Sequence, residues 1–113
     1  MVVTPADTAV AMGSGSVEVL ATPRVVALCE QATCAAVAGH LDDGCTTVGM
    51  RVQIDHLQPT AVGARVEAEA VLEKIEGRRL TFMVSASDTK GLVAAGKVTR
   101  VLVEVDRFMD KTQ

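Results

Sequence analysis

TPRVVALCEQATCAAVAG, residues 22–39, is the stretch on which the reading of the fold turns. Thr22-Pro23 reads as a helix start: the threonine can cap free N–H groups and proline fits the first helical position. From there Val25, Val26, Leu28, Cys29, Ala32, Ala35, Ala36 and Val37 leave the helix apolar nearly all round, broken mainly by Arg24, Glu30 and Gln31. Such a helix is predicted to be buried rather than to lie on a surface. Gly39 is a plausible stop, and Asp42-Asp43-Gly44 follows as a turn.

Downstream the period changes to two. In Thr46–Leu57 one face carries Val48, Met50, Val52, Ile54 and His56, the other Thr47, Gly49, Arg51, Gln53 and Asp55, which predicts a half-buried antiparallel strand. A second strand is expected from about Ala64 to Ile75 and a third over Arg79–Ser87, separated by the tight turn Glu76-Gly77. A fourth should run from Leu92 to about Val105, after a turn at Asp88-Thr89-Lys90-Gly91. Upstream, Val17–Leu20 reads as a short strand. Residues 1–16, small and aperiodic, read as a flexible N-terminal arm ending in Gly13-Ser14-Gly15-Ser16. With no crossover helices, parallel βαβ architecture is excluded. The expectation is an α+β domain over residues 17–113, an antiparallel sheet of about five strands wrapped around one central helix, the hotdog arrangement.

Composition narrows the function classes. The 113 residues include two aromatics, Phe82 and Phe108, and a net charge of −3. Stacking platforms and basic surfaces for nucleic acid are therefore missing. No apolar run reaches the ~20 residues of a membrane span, and the start has no basic and apolar pair of regions typical of a leader, so a cytoplasmic protein without a membrane partner is expected. Cys29, Cys34 and Cys45 are odd in number and lack a CxxC spacing, which favours reduced thiols. The two histidines have no metal-site spacing, so no metal is expected.

Three residues stand out. Glu30 lies among Val26, Ala27, Thr33 and Cys34 with no basic residue three or four positions away. A carboxylate on such a face is either exposed at an edge or buried at a cost, and burial tends to raise its pKa toward that of a working base. His56 shares the inner face of its strand by parity and sits at the strand end, while Asp55 points the other way, so the two are no dyad. Thr22 is at least a cap, and the helix start could also stabilise an oxyanion. There is no GxSxG elbow, phosphate loop or GxGxxG.

Leu20-Ala21-Thr22-Pro23, the apolar helix with Glu30, Gly49 and His56 on the next strand, Glu76-Gly77-Arg78-Arg79-Leu80, Val84-Ser85-Ala86 with Asp88, Arg100 and the ending Val103–Phe108 resemble the hotdog thioesterases related to fluoroacetyl-CoA thioesterase. The resemblance covers nearly the whole chain after residue 16. It implies hydrolysis of acyl-CoA to a carboxylic acid and CoA. Thr22, Glu30 and His56 correspond to the family's catalytic set, Gly49 to a glycine near the site, and Arg100 to an arginine of the last strand. Glu30 would be nucleophile or general base, with His56 and Thr22 assisting. Coenzyme A would enter only as part of the substrate, its phosphates met by Arg78, Arg79, Lys97 or Arg100. The family's aromatic lid ahead of the helix has no counterpart in Val17–Ala21, which implies an open, unselective acyl pocket. Thr22 and Glu30 are eight residues apart, about 12 Å along a helix. A homodimer or dimer of dimers with shared sites is therefore expected. The alternatives are a non-catalytic module binding acyl-CoA and an enoyl-CoA hydratase. The hydratase is disfavoured by the missing Gly-Asp-x-Asn-Pro-type loop.

Overall fold

The period-two stretches form four strands, β1 (Cys45–His56), β2 (Glu67–Glu76), β3 (Arg79–Asp88) and β4 (Gly91–Glu104), in a computed structural model that describes all 113 residues. They make one antiparallel sheet in the order β1-β4-β3-β2. β2, β3 and β4 are a meander, and Gly77, at φ 61°, closes its first hairpin with a backbone that side chains rarely adopt. β1 lies on the opposite edge from β2, so residues 57–66 must travel across the end of the sheet.

One long helix packs on one face of this sheet. Ahead of it come a 3-10 turn (Pro5–Asp7) and a short helix, α1 (Ala9–Met12), so the long helix is α2 (Thr22–Val37) and a last short one is α3 (Val105–Asp110). α2 buries Val25, Cys29, Thr33 and Val37, each four residues from the last and thus on one stripe. That stripe and Phe82, Val84, Ala86 and Val98 from the inner sheet face make the core. Phe82, fully buried on β3, is its largest side chain.

Four expectations change. The helix is not buried all round: Cys34, Ala35 and Ala36 are exposed and Val26 and Ala27 half-exposed. A single sheet layer can cover only one side of a helix, so the second apolar face is left unpartnered within one chain. The strand count is four rather than about five. Val17–Leu20 makes only isolated bridges, Leu20 to Thr8 and Val19 to Ala61, because its two partners belong to different segments and no ladder can propagate.

Of residues 1–16, expected to be a flexible arm, 1–9 pack on the rest of the chain and 10–16 are exposed. Val3 is buried, its N–H donates to the Ala64 carbonyl at 2.9 Å, and the terminal ammonium donates to the Val66 carbonyl at 2.7 Å. Asp7 fastens the arm further by accepting from the Thr4 backbone N–H, the Thr4 hydroxyl and Arg24 of α2.

The fourth change lies in β1. Gly49 pairs with Arg100 and Arg51 with Thr99, leaving Met50 as the extra residue of a β-bulge. The alternation expected along the strand therefore reverses at Met50. Ile54 and His56 stay on the helix side, but upstream it is Thr47 and Gly49, not Val48, that face α2.

Candidate active site

Helix α2 carries two chemical groups on its length, and each is completed by a different part of the sheet. At its start the helix is capped by Ala21, not by Thr22, with no side-chain hydrogen bond to the free N–H groups. Thr22 is therefore relieved of the capping role expected for it. Its hydroxyl instead shares a 2.8 Å hydrogen bond with Nδ1 of His56, 34 residues away. His56 arrives there because it ends β1 on the inner face, opposite the buried Ala94 of β4. Its other ring nitrogen, Nε2, is buried and has no partner in the chain. A buried nitrogen of this kind costs free energy until something supplies a hydrogen bond.

A cavity of about 320 Å³ opens on this pair. Its walls include Ala9 of α1 and Ser14, Gly15, Ser16 and Val17 of the following loop. These residues form one wall of a cavity that stays open to solvent, in keeping with the missing lid, and none of them is a ring: their side chains are small.

Two turns along the helix, Glu30 meets a basic partner that its helical neighbours do not provide. Nη1 of Arg100, on β4, donates to Glu30 Oε2 at 3.2 Å. Arg100 is 7% exposed, so it is almost wholly inside the protein. Its Nε donates to the Thr47 hydroxyl at 2.8 Å and its Nη2 to the Thr47 carbonyl at 2.9 Å. Glu30 keeps about a third of its side-chain surface open, 35%, and only one of its oxygens is engaged. Gly49 lies against that oxygen: a Cβ there would sit 2.7 Å from Oε2. The glycine thus makes room for the carboxylate itself. Beside Glu30, burial pushes the Cys29 thiol up, away from the reactive thiolate.

The structure thus brings together Thr22 with His56, and Glu30 with Gly49 and Arg100, but holds the two groups about 12 Å apart along α2. The cations named for coenzyme A phosphates do not form one cluster. Arg100 is buried and engaged by Glu30 and Thr47, which replaces its expected role at a phosphate. Lys97 is on the outer sheet face, paired with Glu73 at 3.4 Å. Arg79 precedes the inward Leu80 on β3 and so points outward as well. Arg78 remains, exposed in the β2–β3 turn.

Thr47 escaped the sequence reading because parity, counted without a bulge, assigned it to the solvent face. The signal that could have found it is Gly49-Met50: an isolated glycine inside a strand pattern often marks a bulge or a close approach.

Comparison with known proteins agrees with this fold. Residues 3–106 match the family described as FlK, fluoroacetyl-CoA-specific thioesterase. The chain is 33% identical over 96 residues to the fluoroacetyl-CoA thioesterase of Streptantibioticus cattleyicolor, covering 85% of this chain and 69% of that one. The solved structure of fluoroacetyl-CoA thioesterase FlK superposes with a TM-score of 0.93 at 30% identity, over 99% of this chain and 87% of FlK. A thioesterase superfamily member from Thermus thermophilus superposes with a TM-score of 0.91 at 28% identity, over 99% and 83% of the two chains. With its antiparallel sheet on a single long helix and a match that spans nearly its full length, the chain belongs to the FlK family of hotdog-fold thioesterases.

Proposed function

We propose that this chain hydrolyses acyl-CoA thioesters to a carboxylic acid and coenzyme A, with Glu30, His56 and Thr22 as the reacting set. The observation that carries the reading is the Thr22–His56 hydrogen bond: two members of the family's set, 34 residues apart, meet at 2.8 Å beside a cavity. Glu30 acts as nucleophile, forming an anhydride with the acyl group and expelling the thiolate, or as general base, taking a proton from the attacking water. His56 polarises the carbonyl or returns a proton to the departing sulfur. Hydrolysis in ¹⁸O-water under single turnover separates the two roles, because only a nucleophilic Glu30 acquires the label in its side chain.

The active unit is a two-fold dimer, or a dimer of dimers, in which Thr22 and His56 of one copy face Glu30 of the other. Three features support this. The two groups are too far apart along one helix to act on one carbonyl. The exposed apolar stripe around Cys34, Ala35 and Ala36 lacks a cover within the chain. The orphaned Nε2 of His56 lacks a partner. Arg78 is the cation left free for the coenzyme A phosphates. The free thiols, and the absence of any helix long and apolar enough to cross a membrane, suit action in the cytoplasm.

The direct test is Glu30→Gln, which keeps the shape and removes the charge. Loss of a base or nucleophile should lower kcat at least about 100-fold across acetyl-, butyryl-, hexanoyl- and phenylacetyl-CoA. Near wild-type turnover would take Glu30 out of the chemistry, and no turnover of any of the four by the unaltered chain would leave only a binding module.

A further inference from the structure

We propose that Thr47 is a positioning residue for Glu30, acting through Arg100 so that one carboxylate oxygen stays free for the reaction. The proposal rests on Glu30 being the reacting carboxylate. An arginine facing a carboxylate ordinarily pairs through two parallel N–H groups, which engages both oxygens. Here it does not. Thr47 takes one edge of the guanidinium, Nε through its hydroxyl at 2.8 Å and Nη2 through its carbonyl at 2.9 Å. The group is planar and its donors are fixed in one fork, so anchoring that edge fixes the direction of the remaining N–H groups. Of these, Nη1 alone reaches Glu30, at Oε2 and 3.2 Å. The same bulged strand supplies the other constraint. Gly49, two residues from Thr47, offers Oε2 a surface with no Cβ and so leaves it room to lie beside Nη1. Thr47 and Gly49 both face the helix because the bulge at Met50 reverses the parity of β1 behind them.

Without the Thr47 hydroxyl, the Nε–H is buried with no acceptor, since Arg100 is 93% inside. The fork then gains by turning to lay two N–H groups across Glu30. That turn occupies the free oxygen and shifts the carboxylate from its working place. A shift of this size in a reacting group costs about 10- to 100-fold in rate.

The experiment uses the full chain with Thr47→Val, Thr47→Ser, Arg100→Lys and the double variant Thr47→Val/Arg100→Lys, assayed on the same four acyl-CoAs. Thr47→Val should lower kcat about 10- to 100-fold with a much smaller change in KM. Thr47→Ser, which keeps both acceptors, should restore most of the rate. Arg100→Lys keeps a charge for Glu30 but offers Thr47 no fork, so it should lose about as much as Thr47→Val. The double variant should be no worse than either single change. Wild-type kcat in folded Thr47→Val, no rescue by serine, or losses that multiply in the double variant would each overturn the proposal. If Thr47→Val does not fold, Arg100→Lys alone decides in the same way. A readout independent of turnover is the Arg100 Nε–H resonance in ¹⁵N-labelled protein without substrate. It should be protected in the wild type and lose protection in Thr47→Val, and an unchanged signal counts against the clamp. Failure of the catalytic reading looks different: Glu30→Gln would keep its turnover while the Arg100 signal still responds to Thr47→Val.

Discussion

The start and the middle of helix α2 solve opposite problems. At the Thr22 end a hydroxyl and an imidazole meet through one hydrogen bond beside a cavity, and one ring nitrogen is left without a partner. At Glu30, two turns along, a carboxylate and a nearly buried guanidinium are held by three hydrogen bonds and a glycine that leaves room. The first group is under-satisfied and open to a ligand. The second holds its guanidinium by one edge and leaves one carboxylate oxygen free. Proton transfer suits the first kind of arrangement, and fixing a charged group suits the second. About 12 Å separates them along the helix of a single chain.

The largest expected effect breaks the Thr22 end. His56→Ala should lower kcat about 100- to 10,000-fold, as for loss of an acid–base group. The melting temperature should move little, because the ring is already short of partners. A large loss of stability with activity kept would return His56 to the core. The same variant tests whether the two ends meet between chains. Glu30→Gln and His56→Ala, each inactive alone, are unfolded together and refolded as a mixture. Under two-fold symmetry half the dimers are mixed and each carries one intact site, so about a quarter of wild-type activity should return. No recovery, with mixed dimers present by mass spectrometry, would put the whole site in one chain.

Next in size is Gly49→Ala at the other end. The added methyl would lie 2.7 Å from Glu30 Oε2, the far end of a flexible side chain, which can swing away. Activity should fall about 10- to 100-fold through misplacement of the carboxylate, with only a small change in the melting temperature. Equal activity would show that Gly49 serves the backbone alone.

Selectivity should respond less. The wall of the Thr22 cavity ahead of the helix is built from Ala9, Ser14, Gly15, Ser16 and Val17, none of them a ring. A single small substituent is worth about 1–3 kcal/mol even in a close-walled apolar pocket. Fluoroacetyl-CoA and acetyl-CoA should therefore be hydrolysed with similar kcat/KM, and butyryl- or hexanoyl-CoA better than either. A fluoroacetyl preference above about a thousandfold would show that small side chains suffice for discrimination.

The smallest effect concerns the attachment of the N-terminal segment to the helix. The Thr4 backbone N–H, then the Thr4 hydroxyl and Arg24, hold the Asp7 carboxyl below the usual carboxylate range, against the opposing pull of partial burial. A depressed folded pKa contributes stability that is in place above the ordinary carboxylate pKa and is lost as pH falls through the folded value. Asp7→Asn keeps an acceptor but loses the charge, so it should cost less than about 1 kcal/mol near neutral pH. The difference from wild type should vanish in acid. Thermal melts between neutral pH and the acid limb check both.

Much of this was legible in the sequence, and the parts that were not share one cause. The long helix, the three hairpin-linked strands and the inward side of His56 follow from periods of 3.6 and 2, which any neighbouring residues reveal. Thr22, Glu30 and His56 could be singled out because polar groups on apolar faces are conspicuous. The Arg100–Glu30 pair joins residues 70 apart, and the sequence marked Arg100 only as the counterpart of a last-strand arginine and a candidate for phosphate, not as the partner of Glu30. Thr47 was hidden by a bulge whose existence depends on the partner strand, because an extra residue is defined only against a register. The arm at residues 1–16 had no period to read, and it is ordered by Val3 filling a space that the sheet and helix leave.

What the sequence determined by itself is local: where the chain coils or extends, and which side chains on each element are out of keeping with their face. What only the tertiary structure decided is which of those side chains meet. The reason is that a hydrogen bond between Thr22 and His56, or a guanidinium gripped by Thr47, is a property of distance, and distance across a sheet is set by register and packing rather than by spacing along the chain.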